Sequence, residues 1–122
     1  MILYFAADLL WASKIKATAD ALEIPCRPVR NLDMLEARLA DSQVKAVLTD
    51  LDAPETALAL IARLRGPTAT DTDRRIRILA FGPHVAKETL QAARDAGAND
   101  VMPRGAFDHS MEEILQNLNG RA

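Results

Sequence analysis

Apolar runs and segments with helical spacing alternate five times along the chain. The segments between the apolar runs repeat apolar residues every three to four positions, as Trp11, Ile15 and Leu22 do in the first of them. The five runs, each predicted to be a strand, are 2–7, 25–30, 44–50, 76–82 and 100–102. Alternating strands and helices predict an α/β fold with one parallel, doubly wound sheet and right-handed crossovers.

Helix start and stop signals support this division. Asp8 and Asn31 stand where their side chains would cap the first and second helices, and Pro54 suits the first turn of the third. Gly97 suits the end of a fourth helix over about 85–96. The polar stretch 68–75 between the third helix and the fourth strand predicts a mobile loop.

The fifth helix has its own start signal. Ser110 and Glu113 fit a capping box in front of an apolar stripe that begins at Met111. The spacing therefore predicts a helix near the end of the chain.

The second strand is predicted at one edge of the sheet. Pro25 and Pro28 cannot donate hydrogen bonds to a neighbouring strand, so this run does not suit the middle of a sheet. An edge position favours the strand order 2-1-3-4-5, in which the winding reverses between strands one and three. Asp8 and Asp50 follow those two strands, so the sequence predicts a carboxylate-lined crevice at this switch point.

Composition narrows the class of protein. The chain has 122 residues, 49% hydrophobic, and predicts one domain over 1–122. A net charge of −2 and 4% aromatic residues favour neither a nucleic-acid surface nor a membrane surface. The single Cys26 excludes an internal disulfide, which fits a cytoplasmic location, and it is predicted to be a small buried apolar residue.

Asp50 is the residue best placed for chemistry. An apolar strand ends at this carboxylate, and Asp52 and Pro54 follow directly. A carboxylate at a strand tip can attack a phosphoryl group and carry it as an acyl phosphate. That reaction requires a divalent cation, usually Mg²⁺, to neutralise the transferred oxygens.

Two segments give the chain a likeness to a known family. With Leu-Thr-Asp-Leu-Asp-Ala-Pro at 48–54 and Ala-Ala-Arg-Asp-Ala-Gly-Ala at 92–98, it resembles the bacterial response-regulator receiver domain, of which CheY is an example, over nearly its whole length. The resemblance implies a flavodoxin-like three-layer sandwich with Asp50 as the phosphoacceptor. It also implies that Asp8, Asp50 and Asp52 are the candidate metal ligands.

Other positions depart from the receiver pattern. The paired acids that end the first strand are reduced to Asp8, and the hydroxyl residue that ends the fourth strand falls on Gly82. The aromatic position of the fifth strand falls on Val101, and the Lys-Pro pair falls on Arg104 and Gly105. Arg104 is predicted to pair with Asp50, because a guanidinium binds a carboxylate more readily than it replaces a lysine.

Two further residues lie near the predicted crevice. His84 follows the fourth strand and is interpreted as a solvated loop residue. Trp11 is predicted to pack in the core, because it shares its spacing with Ile15 and Leu22.

These observations predict a divergent, stand-alone receiver-like domain that is not an enzyme. It is expected to signal through a protein partner, such as a histidine kinase, a downstream regulator or a second copy, and to do so without normal phosphorylation of Asp50. The face formed by the fourth helix, fifth strand and fifth helix would make that contact, with no cofactor. Two alternatives stay open: an active phosphoacceptor that uses Asp50 with Mg²⁺, and a flavodoxin-like domain that binds a small ligand or nucleotide in the crevice.

Overall fold

The computed structural model describes residues 1–120, so the last two residues of the predicted domain lie outside the described part. Within it, five parallel strands form one sheet in the order β2-β1-β3-β4-β5, which confirms the predicted order. The strands are β1 (Ile2–Phe5), β2 (Cys26–Pro28), β3 (Ala46–Asp50), β4 (Arg77–Gly82) and β5 (Asp100–Pro103).

Helices cover both faces of the sheet and make the predicted three-layer sandwich. One core cluster packs β-strand residues against α2, α3 and α5, and a second packs the other face against α1, α6 and α7. The helices of the described residues are α1 (Leu9–Ala21), α2 (Leu32–Asp41), α3 (Pro54–Arg65), α4 (Asp71–Arg75), α5 (Lys87–Ala96), α6 (Arg104–His109) and α7 (Met111–Gly120).

The predicted helix signals are confirmed at four places. The carboxylate of Asp8 accepts a hydrogen bond from the Trp11 N–H, and the Asn31 side chain caps α2 in the same way. Pro54 is the first residue of α3. Gly97 ends α5 with φ 114°, a left-handed conformation that glycine adopts without steric cost.

The predicted mobile loop over 68–75 is wrong. Its second half forms α4, because Thr70 and Asp73 make a reciprocal capping box and satisfy each other's backbone donors. Asp73 is 6% exposed and also accepts a hydrogen bond from Arg63 at 2.7 Å. These bonds fasten the segment to α3.

The chain between β5 and the last helix also differs from the prediction. It forms the additional helix α6, and Ser110 joins α6 to α7. The Ser110 N–H donates to the Ala106 carbonyl, and the Ser110 carbonyl accepts from the Ile114 N–H. Among the hydrogen bonds of residues 1–120, none joins the Ser110 hydroxyl to Glu113, so the expected capping box does not form there.

Alternation along β3 sets the direction of the key carboxylate. Ala46 and Leu48 pack in the cluster with α1, α6 and α7, whereas Val47 packs in the other. Side chains two residues apart in a strand share a face, so Asp50 continues the row toward α1 and α6.

None of the helices described over 1–120 has the length and apolar character needed to cross a membrane.

Candidate functional site

Asp50 ends the central strand at the switch point of the sheet. β3 lies between β1 and β4, with Thr49 paired to Phe5 and Asp50 paired to Phe81. Asp50 is 0% exposed. Its carboxylate is therefore enclosed by protein, although it stands at the end of the strand where ligands of such folds usually bind.

Both oxygens of this carboxylate accept hydrogen bonds from the protein. Oδ2 accepts from the backbone N–H of Ala7 at 2.9 Å. Oδ1 accepts from the backbone N–H of Asp52 at 3.0 Å and from Nη2 of Arg104 at 3.2 Å. Two backbone amides and one guanidinium thus satisfy a buried charge that would otherwise be costly.

Arg104 joins Asp50 to a second acid. The same Nη2 atom lies 2.8 Å from Oδ2 of Asp52, whose side chain is 40% exposed. Burial acts to lower the pKa of Arg104, but the hydrogen bond that it donates to Asp52 and the charges of both carboxylates outweigh it, so the pKa is raised. The guanidinium is therefore a fixed cation between two acids.

The other side of Arg104 faces an aromatic cluster. The guanidinium carbon lies 5.3 Å from the centre of the Trp11 ring, within the range of a cation–π contact. Trp11 leans against Phe81 and Phe107 with ring centres 6.0 and 6.3 Å away, and the two phenylalanines stack on each other at 4.2 Å. Trp11 packs against the core as predicted, but it is only half-buried.

The structure does not gather the three candidate metal ligands. The Asp8 carboxylate is exposed and caps α1, whereas Asp50 is buried and Asp52 pairs with Arg104. In the described part of the chain, no group of three or more acidic, histidine or cysteine side chains is arranged to hold a metal ion. Mg²⁺ usually takes one or two carboxylates and keeps several waters, so binding it at Asp50 and Asp52 requires Arg104 to leave them.

Gly82 and Val101 lie on the sheet face away from Trp11. A Cβ atom on Gly82 would stand 3.0 Å from Cβ of Leu51, so a hydroxyl residue at this position requires Leu51 to move. Val101 packs against the cluster that contains Leu51. Leu51 therefore lies directly against the position that a side chain at residue 82 would take.

The remaining predicted residues are separate from the Asp50 carboxylate. His84 is exposed in the loop after β4. Cys26 is buried, as predicted, and burial raises the pKa of its thiol to about 12. A groove of about 400 Å³ near the switch point lies between the β1–α1 loop and the β2–α2 loop, with Tyr4 and Val29 among its lining residues.

The fold defined by this sheet and its helices is that of response-regulator receiver domains. No family model and no curated protein matches the chain in sequence. The signal receiver domain of a response regulator from Bermanella marisrubri is similar, with a TM-score of 0.78 and 20% identity over 96% of this chain and 95% of that one.

Two other solved structures show the same likeness. A response regulator from Hahella chejuensis has a TM-score of 0.78 and 15% identity, over 98% of this chain and 95% of that one. A response regulator from Burkholderia pseudomallei, solved with a phosphorylated aspartic acid, a calcium ion and citrate, has a TM-score of 0.73 and 21% identity, over 96% of this chain and 67% of that one. Similarity at identities this low shows a shared fold only. The chemistry at Asp50 follows from the contacts of the residues around it.

Sequence reasoning finds part of this arrangement. The sequence predicts that Asp50 pairs with Arg104, and the structure contains that pair. It misses the Ala7 amide, the link from Arg104 to Asp52 and the position of Trp11 under Arg104. Trp11 and Arg104 are 93 positions apart in the chain, and no local pattern connects them.

Proposed function

We propose that this chain is a divergent receiver-like signalling domain that binds a protein partner and is not phosphorylated at Asp50. The observation that carries the proposal is the occupied carboxylate: three donors from Ala7, Asp52 and Arg104 already use both oxygens of a fully buried Asp50. A nucleophile needs a free oxygen that a phosphodonor can reach. Here Arg104 supplies the positive charge that a bound cation would otherwise supply.

The engagement of the candidate metal ligands by other groups of the protein supports the same proposal. Phosphoryl transfer to a carboxylate depends on a cation that bridges the transferred oxygens. Asp8 serves as a helix cap, and Asp52 is engaged with Arg104. We infer a non-enzymatic domain that acts in the cytoplasm as a single unit over 1–122 and does not bind nucleic acid.

The partner surface is proposed at α5, β5 and α7. β5 is an edge strand, and a cavity of about 1020 Å³ adjoins it with an apolar lining from Leu79, Met102, Ile114 and Leu118. Lys45 and Arg77 stand at the same cavity. An apolar centre with charged neighbours suits a protein contact, either with a kinase or regulator or with a second copy.

The partner surface is tested by sedimentation at increasing concentration for the native chain and a Met102→Glu variant. We expect the native chain to associate, with itself or with an added partner, and the variant to associate less, because a charge replaces apolar contact area. Glu55→Gln, on the exposed side of α3, is the control. A native chain that stays monomeric at high concentration removes the second-copy version of the proposal.

An active phosphoacceptor is the second candidate. It is favoured by the position of Asp50 at the tip of β3 and by the likeness to the Burkholderia pseudomallei structure, which contains a phosphorylated aspartic acid. In this reading Arg104 would leave the carboxylate when Mg²⁺ binds. The two candidates therefore differ in whether a phosphoryl analogue displaces Arg104.

Titration with Mg²⁺ and beryllofluoride, followed by amide NMR, separates them. We expect the additions to change the spectrum of the native chain no more than they change the spectrum of Asp50→Asn. Asp33→Asn, on the exposed surface of α2, controls for weak binding of Mg²⁺ to acidic side chains. Saturable shifts at Asp52, Gly82 and Arg104 that vanish in Asp50→Asn would establish the phosphoacceptor instead.

A further inference from the structure

The first turn of α1 is connected to Asp50 by two routes. The Ala7 N–H, just before the Asp8 cap, donates to Oδ2 of Asp50 at 2.9 Å. Arg104 contacts Asp50 and Asp52 on one side and the Trp11 ring on the other. A change at Asp50 or Asp52 therefore affects the contacts of Ala7 and Trp11, which lie at the two ends of this turn.

Arg104 depends on the two carboxylates for its position. Nη2 makes both carboxylate contacts, whereas Nε is buried without a hydrogen-bond partner among residues 1–120. A buried donor without a partner costs free energy, and such groups in native proteins often mark functional or strained sites. When a carboxylate charge is lost, or a competing cation takes its place beside the acids, the guanidinium gains by moving to water.

Trp11 is the member of the aromatic cluster that can respond. Phe81 and Phe107 are fully buried and lie nearly parallel, with an interplanar angle of 7°. Trp11 is half-buried and tilted by 47° and 42° against them. Removal of Arg104 from its ring face takes one contact away from Trp11, the most exposed of the three rings.

The turn that holds Trp11 also presents apolar surface. Leu9 is 82% exposed and Leu10 is 73% exposed, directly before Trp11 in α1. Gly82 and Val101, where the receiver pattern has a hydroxyl and an aromatic residue, lie on the opposite face of the sheet. In this chain the contacts of Asp50 lead instead to α1, through Ala7 directly and through Arg104 to Trp11.

We propose that Arg104 couples the charge of the Asp50–Asp52 pair to the first turn of α1 through Trp11, so that this turn changes its surface when Arg104 is released. The proposal rests on the proposed function only for the existence of a partner. The coupling is a property of the isolated chain, and its test needs no partner.

Trp11 is the chain's single tryptophan, so its fluorescence reports this coupling directly. In Arg104→Gln and Asp50→Asn we expect the emission maximum to move to longer wavelength and quenching by acrylamide to increase. Asp52→Asn, at the half-exposed acid, should give a smaller shift in the same direction. Amide resonances of Leu9 and Leu10 should move together with the fluorescence, while far-UV circular dichroism shows that the fold is kept.

Asp108→Asn is the matched control. It removes one carboxylate and frees Lys14, the second cation near the Trp11 ring at 5.5 Å, but it does not touch Arg104. We expect its emission and quenching to equal those of the native chain. Unchanged fluorescence in folded Arg104→Gln and Asp50→Asn overturns the proposal, and so does an equal shift in Asp108→Asn. A response to beryllofluoride would contradict the proposed function and leave this coupling standing if Trp11 moves with it.

Discussion

Two arginine–carboxylate clusters lie at opposite ends of the sheet, and they differ in how completely the guanidinium is bonded. Arg63 donates from all three nitrogens, to Glu36 through Nε and Nη2 and to Asp73 through Nη1. Arg104 makes both carboxylate contacts through Nη2 and leaves a buried Nε without a partner among the described residues.

The two clusters also differ in what their arginines hold in place. Arg63 joins α2, α3 and α4, and each of its contacts fixes one helix against another. Arg104 fixes a side chain, Asp50, and lies against an aromatic ring that is half exposed. Complete bonding suits an element that must not move, whereas the unpartnered Nε leaves Arg104 less completely bonded than Arg63.

The largest effect is expected for Arg63→Met. The substitution leaves the buried Asp73 without its cation, which costs about 2 kcal/mol of the free energy of unfolding. Urea unfolding followed by circular dichroism measures this loss, and Arg30→Met, on an exposed loop, serves as the control. A loss below about 0.5 kcal/mol, the range of exposed ion pairs, would show that the cluster is not structural. Trp11 emission should not change.

Arg104→Met is expected to cost less stability. Asp50 keeps two backbone donors, and Asp52 reaches solvent, so the free energy of unfolding should fall by about 1 kcal/mol. The same urea experiment measures the loss. A larger loss of stability than that of Arg63→Met would show that Arg104 contributes more to the stability of the fold than Arg63 does.

Gly82→Ser tests the role of Arg104 with a change on the opposite face of the sheet. The new Cβ stands 3.0 Å from Cβ of Leu51, and moving Leu51 costs about 1 kcal/mol of stability. The serine should not create a response to beryllofluoride, since Arg104 still occupies Asp50. Appearance of such a response in the variant would show that the missing hydroxyl, and not Arg104, keeps the site inactive.

The smallest effect is the pH dependence of the Arg63 cluster. Burial acts to raise the pKa of Asp73, but the hydrogen bonds from Arg63 and Thr70 outweigh it and hold the pKa below its ordinary value. The hydrogen bond from Arg63 also lowers the pKa of Glu36. A lowered folded-state pKa contributes stability that is fully present above the unfolded-state value, about 4, and is lost as the pH falls through the folded-state value.

Urea midpoints of the native chain and Arg63→Met check this sign. Their difference should stay constant above about pH 5 and shrink as the pH falls below about 4. A difference that grows in acid would mean that the carboxylates are not stabilised by Arg63.

The sequence predicts the sheet well, because its signals are local. Prolines place β2 at an edge, and an apolar run that ends at Asp50 identifies the buried β3. The helix α4 has a local signal too, since Thr70 and Asp73 have capping-box spacing, but the polar composition of the segment favours a loop. Short helices gain little stability from helix propensity alone. The capping box and the hydrogen bond from Arg63 to Asp73 stabilise α4.

The site is less predictable than the fold. The pair Asp50 and Arg104 follows from aligned strand ends, which a family pattern supplies. The ring of Trp11 under Arg104 and the filling of the Gly82 space by Leu51 arise from packing between distant segments. No periodicity encodes contacts of that kind.

We propose that Arg104 and two backbone amides make Asp50 unavailable to a phosphodonor. Intact-mass spectrometry after incubation with acetyl phosphate and Mg²⁺ tests it directly, beside Asp50→Asn and a receiver domain known to react. We expect an unchanged mass for the native chain while the reactive receiver gains a phosphoryl group. A phosphoryl group on the native chain that is missing from Asp50→Asn would contradict it.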